Sequence, residues 1–211
     1  MLYGMCGSHR SGKTTTAKRV ANEFGLEFVD SSFGTLAAQA GFDPVMPMEL
    51  DRRLEMQEKA LAHHLSVIYD AGRPAITDRT PLDFIAYMLA ECPMHSASWT
   101  SQETLWRIQR YVDCCLEMTV KFYDMVFVLD PLPVYEVDTT KPTPDPNPAF
   151  RSHIELLIAG ALAKIGDRIN WAAVPVMTFD QRVEIIGNLI VERMNEIDDL
   201  TVLTPPPPVS S

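Results

Sequence analysis

Short apolar runs alternate with longer amphipathic stretches along most of the chain. The apolar runs predict buried β-strands at residues 2–6, 26–30, 75–77, 123–129 and 174–179. In the stretches between them, apolar residues recur every three or four positions, a spacing typical of helices that bury one face. This alternation predicts an α/β fold in which a parallel sheet is covered by helices on both faces.

Polar residues mark the ends of several predicted helices. Residues 100–103 have the form of a capping box, and Asp180 is predicted to cap the last helix. Thr80 is predicted to cap a helix that begins with Pro81, a residue that is well tolerated at the first helical position. The helix after residue 100 is predicted to turn five residues inward, namely Leu105, Ile108, Val112, Leu116 and Thr119.

The segment between the first predicted strand and the first predicted helix matches the pattern G-x-x-x-x-G-K-[ST] at every fixed position. Its glycines allow successive N–H groups to turn inward around a phosphate, and the helix N-terminus adds partial positive charge. A simple glycine turn before a helix is the alternative, but it does not account for the matching elements on both sides. We expect a nucleoside triphosphate to bind at Gly7, Ser8, His9, Arg10, Ser11, Gly12, Lys13, Thr14 and Thr15.

Two residues of this loop have defined chemical roles in the pattern. The ammonium group of Lys13 is expected to reach the β- and γ-phosphates, which makes it a candidate catalytic residue. The hydroxyl group of Thr14 is expected to bind Mg²⁺. The cofactors predicted from the loop are therefore ATP and Mg²⁺.

Composition limits the remaining possibilities. A chain of 211 residues fits one α/β domain with a sizeable core. A formal net charge of -10 gives no support to a broad nucleic-acid surface, although a local basic groove stays open. The four cysteines lack zinc-ligand spacing and favour reduced thiols. Because no apolar run approaches the length of a membrane span, we expect a cytoplasmic protein with no membrane partner.

Charged residues follow two of the predicted strands. Ligands of parallel α/β sheets gather beyond the carboxyl ends of the strands, so Asp30, Asp78 and Arg79 should lie near the phosphate loop. Asp78 is predicted to organise Mg²⁺ or its waters, and Arg79 to hold a phosphate. A buried ion pair between these two residues is the structural alternative. Asp30 is predicted either to act in catalysis or to cap the turn that follows it.

Polar side chains near the start of the helix predicted at residues 48–69 are candidates for holding an acceptor. These are Arg52, Arg53 and Gln57, for which a solvated helix face is the alternative. Further along the same helix, His63 and His64 have no metal-ligand partner nearby in the sequence, so we expect them to be structural.

Proline dominates two segments in the second half of the chain. Residues 131–148 contain six prolines and predict a mobile lid over the phosphates, for which an ordinary surface loop is the alternative. We place the lid at about residues 131–151, with Lys141 and Arg151 as cations that meet the transferring phosphoryl group. Residues 204–211 include four consecutive prolines and are predicted to form a disordered tail.

Several motifs together resemble one known family. They are the phosphate loop at residues 7–14, the Thr-Asp-Arg-Thr-Pro-Leu-Asp run at residues 77–83, and the pair Ala86 and Tyr87. Through them, residues 1–203 resemble the small phage-encoded P-loop kinases and AAA-type ATPases that are related to nucleoside and deoxynucleotide kinases. The resemblance implies a three-layer sandwich whose five-stranded parallel sheet has the order 2-3-1-4-5, and it is compatible with a homodimer. Arg79 and Asp83 belong to these shared residues, and together with Arg53 and Gln57 they are the residues that we expect to hold the acceptor.

The acceptor of the phosphoryl group varies within this family. The resemblance implies an ATP-dependent kinase that transfers the γ-phosphate to a nucleotide-type acceptor. We favour a hydroxyl group on a nucleoside or on a 5-hydroxymethyl-pyrimidine base in phage DNA, because Asp30 can accept the proton that a hydroxyl loses. A deoxynucleoside monophosphate kinase is one alternative. A non-catalytic, regulatory nucleotide-binding switch is an alternative of another class.

Overall fold

A five-stranded parallel sheet forms the centre of the computed structural model, which describes residues 1–31, 34, 38, 41–42, 48–92, 101–131 and 148–203. The strands are β1 (Leu2–Cys6), β2 (Glu27–Val29), β3 (Ala75–Thr77), β4 (Met125–Leu129) and β5 (Asn170–Val174). All neighbouring pairs are parallel, and the order is β2-β3-β1-β4-β5. The predicted strand order is confirmed.

Six long helices connect and cover these strands in the described part of the chain. They are α1 (Lys13–Phe24), α2 (Leu50–Asp70), α3 (Pro81–Glu91), α4 (Gln102–Phe122), α5 (Pro148–Ile165) and α6 (Phe179–Leu203). Each parallel connection needs such a crossover, because parallel strands cannot be joined by a tight turn. Each of these helices is too short or too polar to span a lipid bilayer.

The sheet separates two hydrophobic clusters. Within β1, Tyr3 and Met5 belong to the cluster that α1 and α6 complete, whereas Leu2 and Cys6 belong to the cluster that α2 to α5 complete. This division follows from the two-residue period of a strand, which sends successive side chains to opposite faces. The result is the predicted three-layer sandwich, with two helices on one face and four on the other.

The start of α3 agrees with the sequence prediction. Thr80 and Asp83 form a reciprocal capping box, and Pro81 occupies the first turn. α4 begins one residue later than the box predicted at residues 100–103: its N-cap is Ser101, whose side chain accepts a hydrogen bond from the Thr104 amide at 3.0 Å. Both helices therefore begin where a side-chain oxygen satisfies an N–H group that has no partner within the helix.

The fifth strand and the last helix begin differently from the prediction. β5 spans Asn170–Val174, whereas the sequence pattern favoured residues 174–179. β5 is an edge strand whose residues are mostly exposed, and it ends before Pro175, which has no N–H group to continue the ladder. The apolar pattern continues past Pro175 to Phe179, so it does not mark the end of the strand. The cap of α6 is Thr178 rather than Asp180, because Thr178 and Gln181 exchange backbone and side-chain hydrogen bonds of 3.2 and 3.4 Å.

The inward face of α4 is shifted from the predicted one. Leu105 is 38% exposed, so the prediction that it faces inward is wrong. The buried residues are Thr104, Ile108, Tyr111, Cys115, Leu116 and Thr119, and their spacing keeps one face of a helix with 3.6 residues per turn against the core. An apolar residue near the start of a helix can thus lie just outside the buried stripe.

Two of the sequence predictions concern residues outside the described ranges. The body of the predicted lid (residues 132–147, including Lys141) and the predicted tail (residues 204–211) are not described. Arg151, at the end of the predicted lid, lies within the first turns of α5 and is half-buried. None of the four cysteines forms a disulfide; Cys6 and Cys115 are buried, Cys92 is half-buried and Cys114 is exposed.

Candidate active site

The loop between β1 and α1 has the backbone conformation that a phosphate-binding loop requires. Gly7, Arg10 and Gly12 have positive φ angles of 151°, 59° and 83°. A Cβ atom on Gly7 would lie 2.6 Å from the carbonyl oxygen of Leu129, at the end of β4. Glycine is therefore needed at position 7 both for the backbone angle and for the close approach of the neighbouring strand.

A cavity of about 250 Å³ opens beside this loop. Three cationic residues line the cavity, namely Arg10, Lys13 and Arg79. Among the described residues, no Asp or Glu side chain lines it. The lining residues are His9, Arg10, Ser11, Gly12, Lys13, Thr14, Thr15 and Arg79. The N-terminus of α1 faces the same space, so the cavity suits an anionic group.

The ammonium group of Lys13 is held by the loop itself. Its Nζ atom donates hydrogen bonds to the carbonyl oxygens of Gly7 at 2.7 Å and Ser8 at 2.9 Å, and it lies 3.7 Å from Oδ1 of Asp83. Burial lowers the pKa of Lys13 to about 8, although the Asp83 carboxylate opposes this shift. The group is thus mostly charged at neutral pH and is already positioned beside the cavity.

Asp83 lies beneath the loop and is fully buried. Its carboxylate accepts hydrogen bonds from the amides of Gly7 at 3.3 Å and Thr80 at 3.0 Å. Burial raises its pKa, while the charge of Lys13 counteracts that change. The prediction that Asp83 binds the acceptor does not fit this position, because its oxygen atoms hold the phosphate loop and the start of α3.

Asp78 directly follows β3 and connects the start of α1 with the segment after β2. Its Oδ2 atom accepts a hydrogen bond of 2.6 Å from the hydroxyl group of Thr14. Its Oδ1 atom accepts bonds from the amide of Ser31 at 3.2 Å and the hydroxyl of Ser31 at 3.1 Å. The structure therefore brings the two predicted metal ligands together. Within the described residues no cluster of three or more His, Cys, Asp or Glu side chains forms a complete metal site.

Arg79 follows Asp78 and is supported from behind by a buried polar network. Its carbonyl oxygen accepts hydrogen bonds from the hydroxyls of Thr77 at 2.6 Å and Tyr123 at 3.3 Å. The Tyr123 hydroxyl also lies 2.9 Å from Nε2 of the buried His64. The guanidinium group lies 5.6 Å from the ring centre of Tyr87. In this part of the structure Asp78 and Arg79 do not form the ion pair considered above as the structural alternative.

A glycine inside β1 makes this network possible. A Cβ atom on Gly4 would lie 2.4 Å from Cγ2 of Thr80 and 2.5 Å from Cε1 of Tyr123. A glycine within a predicted strand indicates such a close approach, but the sequence does not identify the partner. The role of Tyr123 was therefore not predicted, although Gly4 indicated that some side chain packs closely against β1.

The loop has two further partners that no sequence pattern indicated. The hydroxyl group of Ser8 donates a 2.7 Å hydrogen bond to Glu155 of α5. The guanidinium group of Arg182, in the first turn of α6, donates a 2.6 Å bond to the carbonyl oxygen of Ser11. These contacts connect the loop to helices on both faces of the sheet.

The predicted acceptor residues of α2 already have partners. Arg53 is 8% exposed and its Nε atom lies 3.8 Å from Oε2 of Glu91. Gln57 is 2% exposed and accepts a hydrogen bond from the Tyr111 hydroxyl at 3.2 Å. Neither residue lines the cavity beside the phosphate loop.

Asp30 occupies a different kind of position. It is exposed and directly follows β2, in which Val29 is paired with Thr77 of β3. Asp30 and Asp78 therefore follow paired residues on neighbouring strands, as the strand order led us to expect. The structure places one exposed and one buried carboxylate at the same edge of the sheet.

Solved structures share this fold at low sequence identity. The chain is similar to deoxyadenosine kinase from M. mycoides with bound dCTP, at a TM-score of 0.61 and 14% identity, covering 91% of this chain and 100% of that one. It is also similar to thymidylate kinase from Ehrlichia chaffeensis, at a TM-score of 0.56 and 15% identity, covering 90% and 97%. For the YorR protein from Bacillus subtilis in complex with phosphorylated GDP, the TM-score is 0.51 and the identity 15%, covering 93% and 98%.

Comparison with sequences is more specific about the family. No curated protein sequence matches the chain significantly. A family model described as an AAA domain matches residues 3–182, which include the phosphate loop, Asp78, Arg79 and Arg182. Because this match covers most of the 211 residues, the chain belongs to the AAA domain family.

Proposed function

We propose that the protein is a kinase that transfers the γ-phosphate of ATP to a hydroxyl group, on a nucleoside or on a 5-hydroxymethyl-pyrimidine base in DNA. One observation carries the proposal. The hydrogen-bonded pair of Thr14 and Asp78 lies at the edge of a cavity that Lys13 and Arg79 line. This arrangement combines oxygen ligands for a metal ion with cations for a polyphosphate, which are the parts that phosphoryl transfer needs.

The donor nucleotide would bind with its phosphates in the cavity. Lys13 lines this cavity, and two carbonyl oxygens hold its ammonium group in place. Arg79 supplies a second cation from the end of β3. Phosphoryl transfer depends mainly on positioning and on neutralising charge, so two fixed cations beside the β- and γ-phosphates would stabilise the transition state.

Thr14 and Asp78 fit a magnesium ion that accompanies the nucleotide. Mg²⁺ prefers oxygen ligands and keeps several waters, so it needs only one or two protein groups in addition to the phosphates. When bound, the ion would neutralise negative charge on the phosphates. Ser31 holds the carboxylate of Asp78 through two hydrogen bonds, so Asp78 keeps its orientation toward Thr14.

Asp30 is the proposed general base. It is exposed at the edge of the sheet that also carries Asp78. A hydroxyl acceptor must lose a proton as the new bond forms, and a carboxylate in this position can accept it. The buried carboxylate of Asp78 is less suited to this role, because both of its oxygens already accept hydrogen bonds.

The surroundings of Arg53 also favour a hydroxyl acceptor. A monophosphate acceptor is ionised at neutral pH and needs cations more than it needs a base. Arg53, a cationic candidate on α2, lies close to the carboxylate of Glu91, which compensates its charge.

The second candidate function is a deoxynucleoside monophosphate kinase, which the similarity to thymidylate kinase favours.

An acceptor panel with γ-labelled ATP tests the proposal. Nucleosides, deoxynucleoside monophosphates, normal DNA and hydroxymethylated DNA would each be incubated with the wild-type protein, Asp30→Asn and Asp70→Asn. Asp70 is an exposed carboxylate at the end of α2 and serves as the matched control. We expect label on a hydroxyl acceptor, and a loss of turnover for Asp30→Asn of about 10²- to 10⁴-fold, the usual contribution of a general base.

Other results of the panel contradict specific parts of the proposal. Label only on monophosphates would favour the second candidate function. Nucleotide binding without transfer to any acceptor would indicate a regulatory switch. An Asp30→Asn variant that transfers phosphate at the wild-type rate would make Asp30 a structural cap.

A further inference from the structure

Arg182 is the largest fully buried side chain in the described part of the protein. It lies in the first turn of α6 and joins two backbone segments from the same edge of the sheet. Its Nη1 atom donates a 2.6 Å hydrogen bond to the carbonyl oxygen of Ser11 in the phosphate loop. Its Nη2 atom donates a 2.8 Å bond to the carbonyl oxygen of Asp130, directly after β4.

The charge of this guanidinium group is not balanced by an ion pair within the described residues. Both hydrogen-bond acceptors are neutral carbonyl oxygens, and the Asp130 carboxylate acts on Arg182 only through space. A buried charge without a partner of opposite sign is costly to the folded state. The cavity beside the phosphate loop lies close to this charge, because Ser11, whose carbonyl oxygen accepts the bond from Arg182, is one of its lining residues.

The bond to Ser11 also sets the direction of an N–H group. The carbonyl of Ser11 and the amide of Gly12 belong to one planar trans peptide unit, so they point in opposite directions. Because Arg182 holds the carbonyl on the α6 side, the amide of Gly12 is directed away from α6. Gly12 lines the cavity, so this N–H group is available to an anion there.

We propose that Arg182 is a positioning residue for polyphosphate binding, although it lies behind the loop and does not line the cavity. It fixes the peptide unit between Ser11 and Gly12, polarises its N–H group and adds positive charge behind it. The inference rests on the proposed nucleotide site and deepens it. The ligand class that depends on Arg182 is the polyphosphate anion, and the dependence increases with the charge of the ligand.

Binding measurements on the full chain test this inference. Dissociation constants for tripolyphosphate, ATP, ADP and adenosine would be measured by calorimetry for the wild-type protein, Arg182→Met, Arg182→Lys and Arg193→Met. Arg193 lies on the same helix, is half-buried and forms an ion pair with Glu196 at 2.8 Å, and it is the matched control. We expect Arg182→Met to weaken ATP and tripolyphosphate binding by roughly 10- to 100-fold, the range for loss of a charged hydrogen bond.

The pattern across ligands separates positioning from a structural role. We expect a smaller loss for ADP and none for adenosine, and an intermediate loss for Arg182→Lys, which keeps the charge without the two-pronged geometry. Equal losses for adenosine and ATP, or a lower melting temperature with unchanged dissociation constants, would overturn the inference. If Arg182→Met does not fold, Arg182→Lys decides by the same comparison.

Together with the acceptor panel, these binding measurements distinguish this inference from the proposed function. If Arg182→Met binds ATP as tightly as the wild-type protein does, the inference is overturned and the kinase proposal stands. Polyphosphate binding that depends on Arg182, without transfer to any acceptor, contradicts the kinase proposal and supports the inference. A wild-type protein that binds neither ATP nor tripolyphosphate overturns both.

Discussion

The phosphate loop and the start of α2 both contain buried polar side chains, but these side chains face different surroundings. Around the loop, Lys13 and Arg79 line a cavity that no described carboxylate lines. On α2, Arg53 lies near Glu91, and Gln57 accepts a hydrogen bond from Tyr111. Burial of a polar group therefore does not by itself indicate a ligand site. The informative feature is whether the group faces an open space or another side chain.

The two regions also differ in what holds them in place. The loop is fixed by the ends of β1, β3 and β4 and by contacts to α3, α5 and α6. Such a site is formed before its ligand arrives, so binding energy is not used to order it. Substitutions in the two regions test this contrast, and their expected effects decrease from the phosphate loop to α2.

Loss of the loop ammonium group should have the largest effect. We expect Lys13→Ala to reduce phosphoryl transfer to background, because the charge that stabilises the transferred group is removed. Transfer from γ-labelled ATP would be measured beside Lys164→Ala, which removes an exposed lysine of α5. A folded Lys13→Ala protein with near-normal turnover would exclude ATP-dependent transfer at this loop.

A smaller effect is expected at the metal ligands. Asp78→Asn keeps an oxygen that can accept from Ser31 but loses the negative charge beside Thr14. We expect the Mg²⁺ concentration for half-maximal turnover to rise by about 10- to 100-fold, the range for altered metal surroundings. Magnesium titrations would be compared with those of Asp167→Asn, an exposed control. An unchanged magnesium requirement would remove Asp78 from the proposed metal site.

The pH dependence of nucleotide binding tests the charge of Lys13 directly. Burial lowers the pKa of this lysine to about 8 in the nucleotide-free protein, so its ammonium group becomes neutral as the pH rises through 8. Because a phosphate binds the charged form, we expect ATP affinity to fall about tenfold between pH 7 and pH 9. Lys13→Arg is the matched control, since a guanidinium group stays charged over this range. The same fall in both proteins would assign the titration to another group.

The smallest effect is expected on α2. Gln57→Leu removes the hydrogen bond from Tyr111 at a buried position that does not line the cavity. We expect the free energy of unfolding to fall by about 1 kcal/mol and the KM of the acceptor to change by less than about threefold. Urea denaturation and steady-state kinetics measure the two quantities. A tenfold rise in KM with unchanged stability would show that Gln57 binds the acceptor after all.

Local features of the sequence predicted much of the fold and several residues that meet beside the phosphate loop. The phosphate loop, the helix cap at Thr80, and the strand ends at Asp30 and Asp78 depend on neighbours within a few positions. The order of the strands came from the resemblance to P-loop kinases, because periodicity does not say which strands pair. β5 was placed wrongly because the apolar pattern continues past Pro175 to Phe179 and therefore does not mark where the strand ends.

The supporting contacts of the site were beyond sequence reasoning for a different reason. Arg182 and Ser11 are separated by 171 positions, and Asp78 and Ser31 by 47. Such contacts depend on the three-dimensional arrangement of strand ends, which no short pattern encodes. Arg182 in particular has no neighbouring residue in the sequence that would distinguish it from an exposed helical arginine.

The glycine at position 4 has a consequence for how this sequence can vary. Because Gly4 has no side chain, Thr80 and Tyr123 can fill the space beside it. A Cβ atom at position 4 would lie 2.4 Å from Cγ2 of Thr80 and 2.5 Å from Cε1 of Tyr123. The side chains at positions 4, 80 and 123 therefore share one space, in which a larger residue at position 4 requires smaller ones at the other two. A library randomised at these three positions should recover folded variants mainly as compensating sets, and a redesign that changes β1 alone should fail.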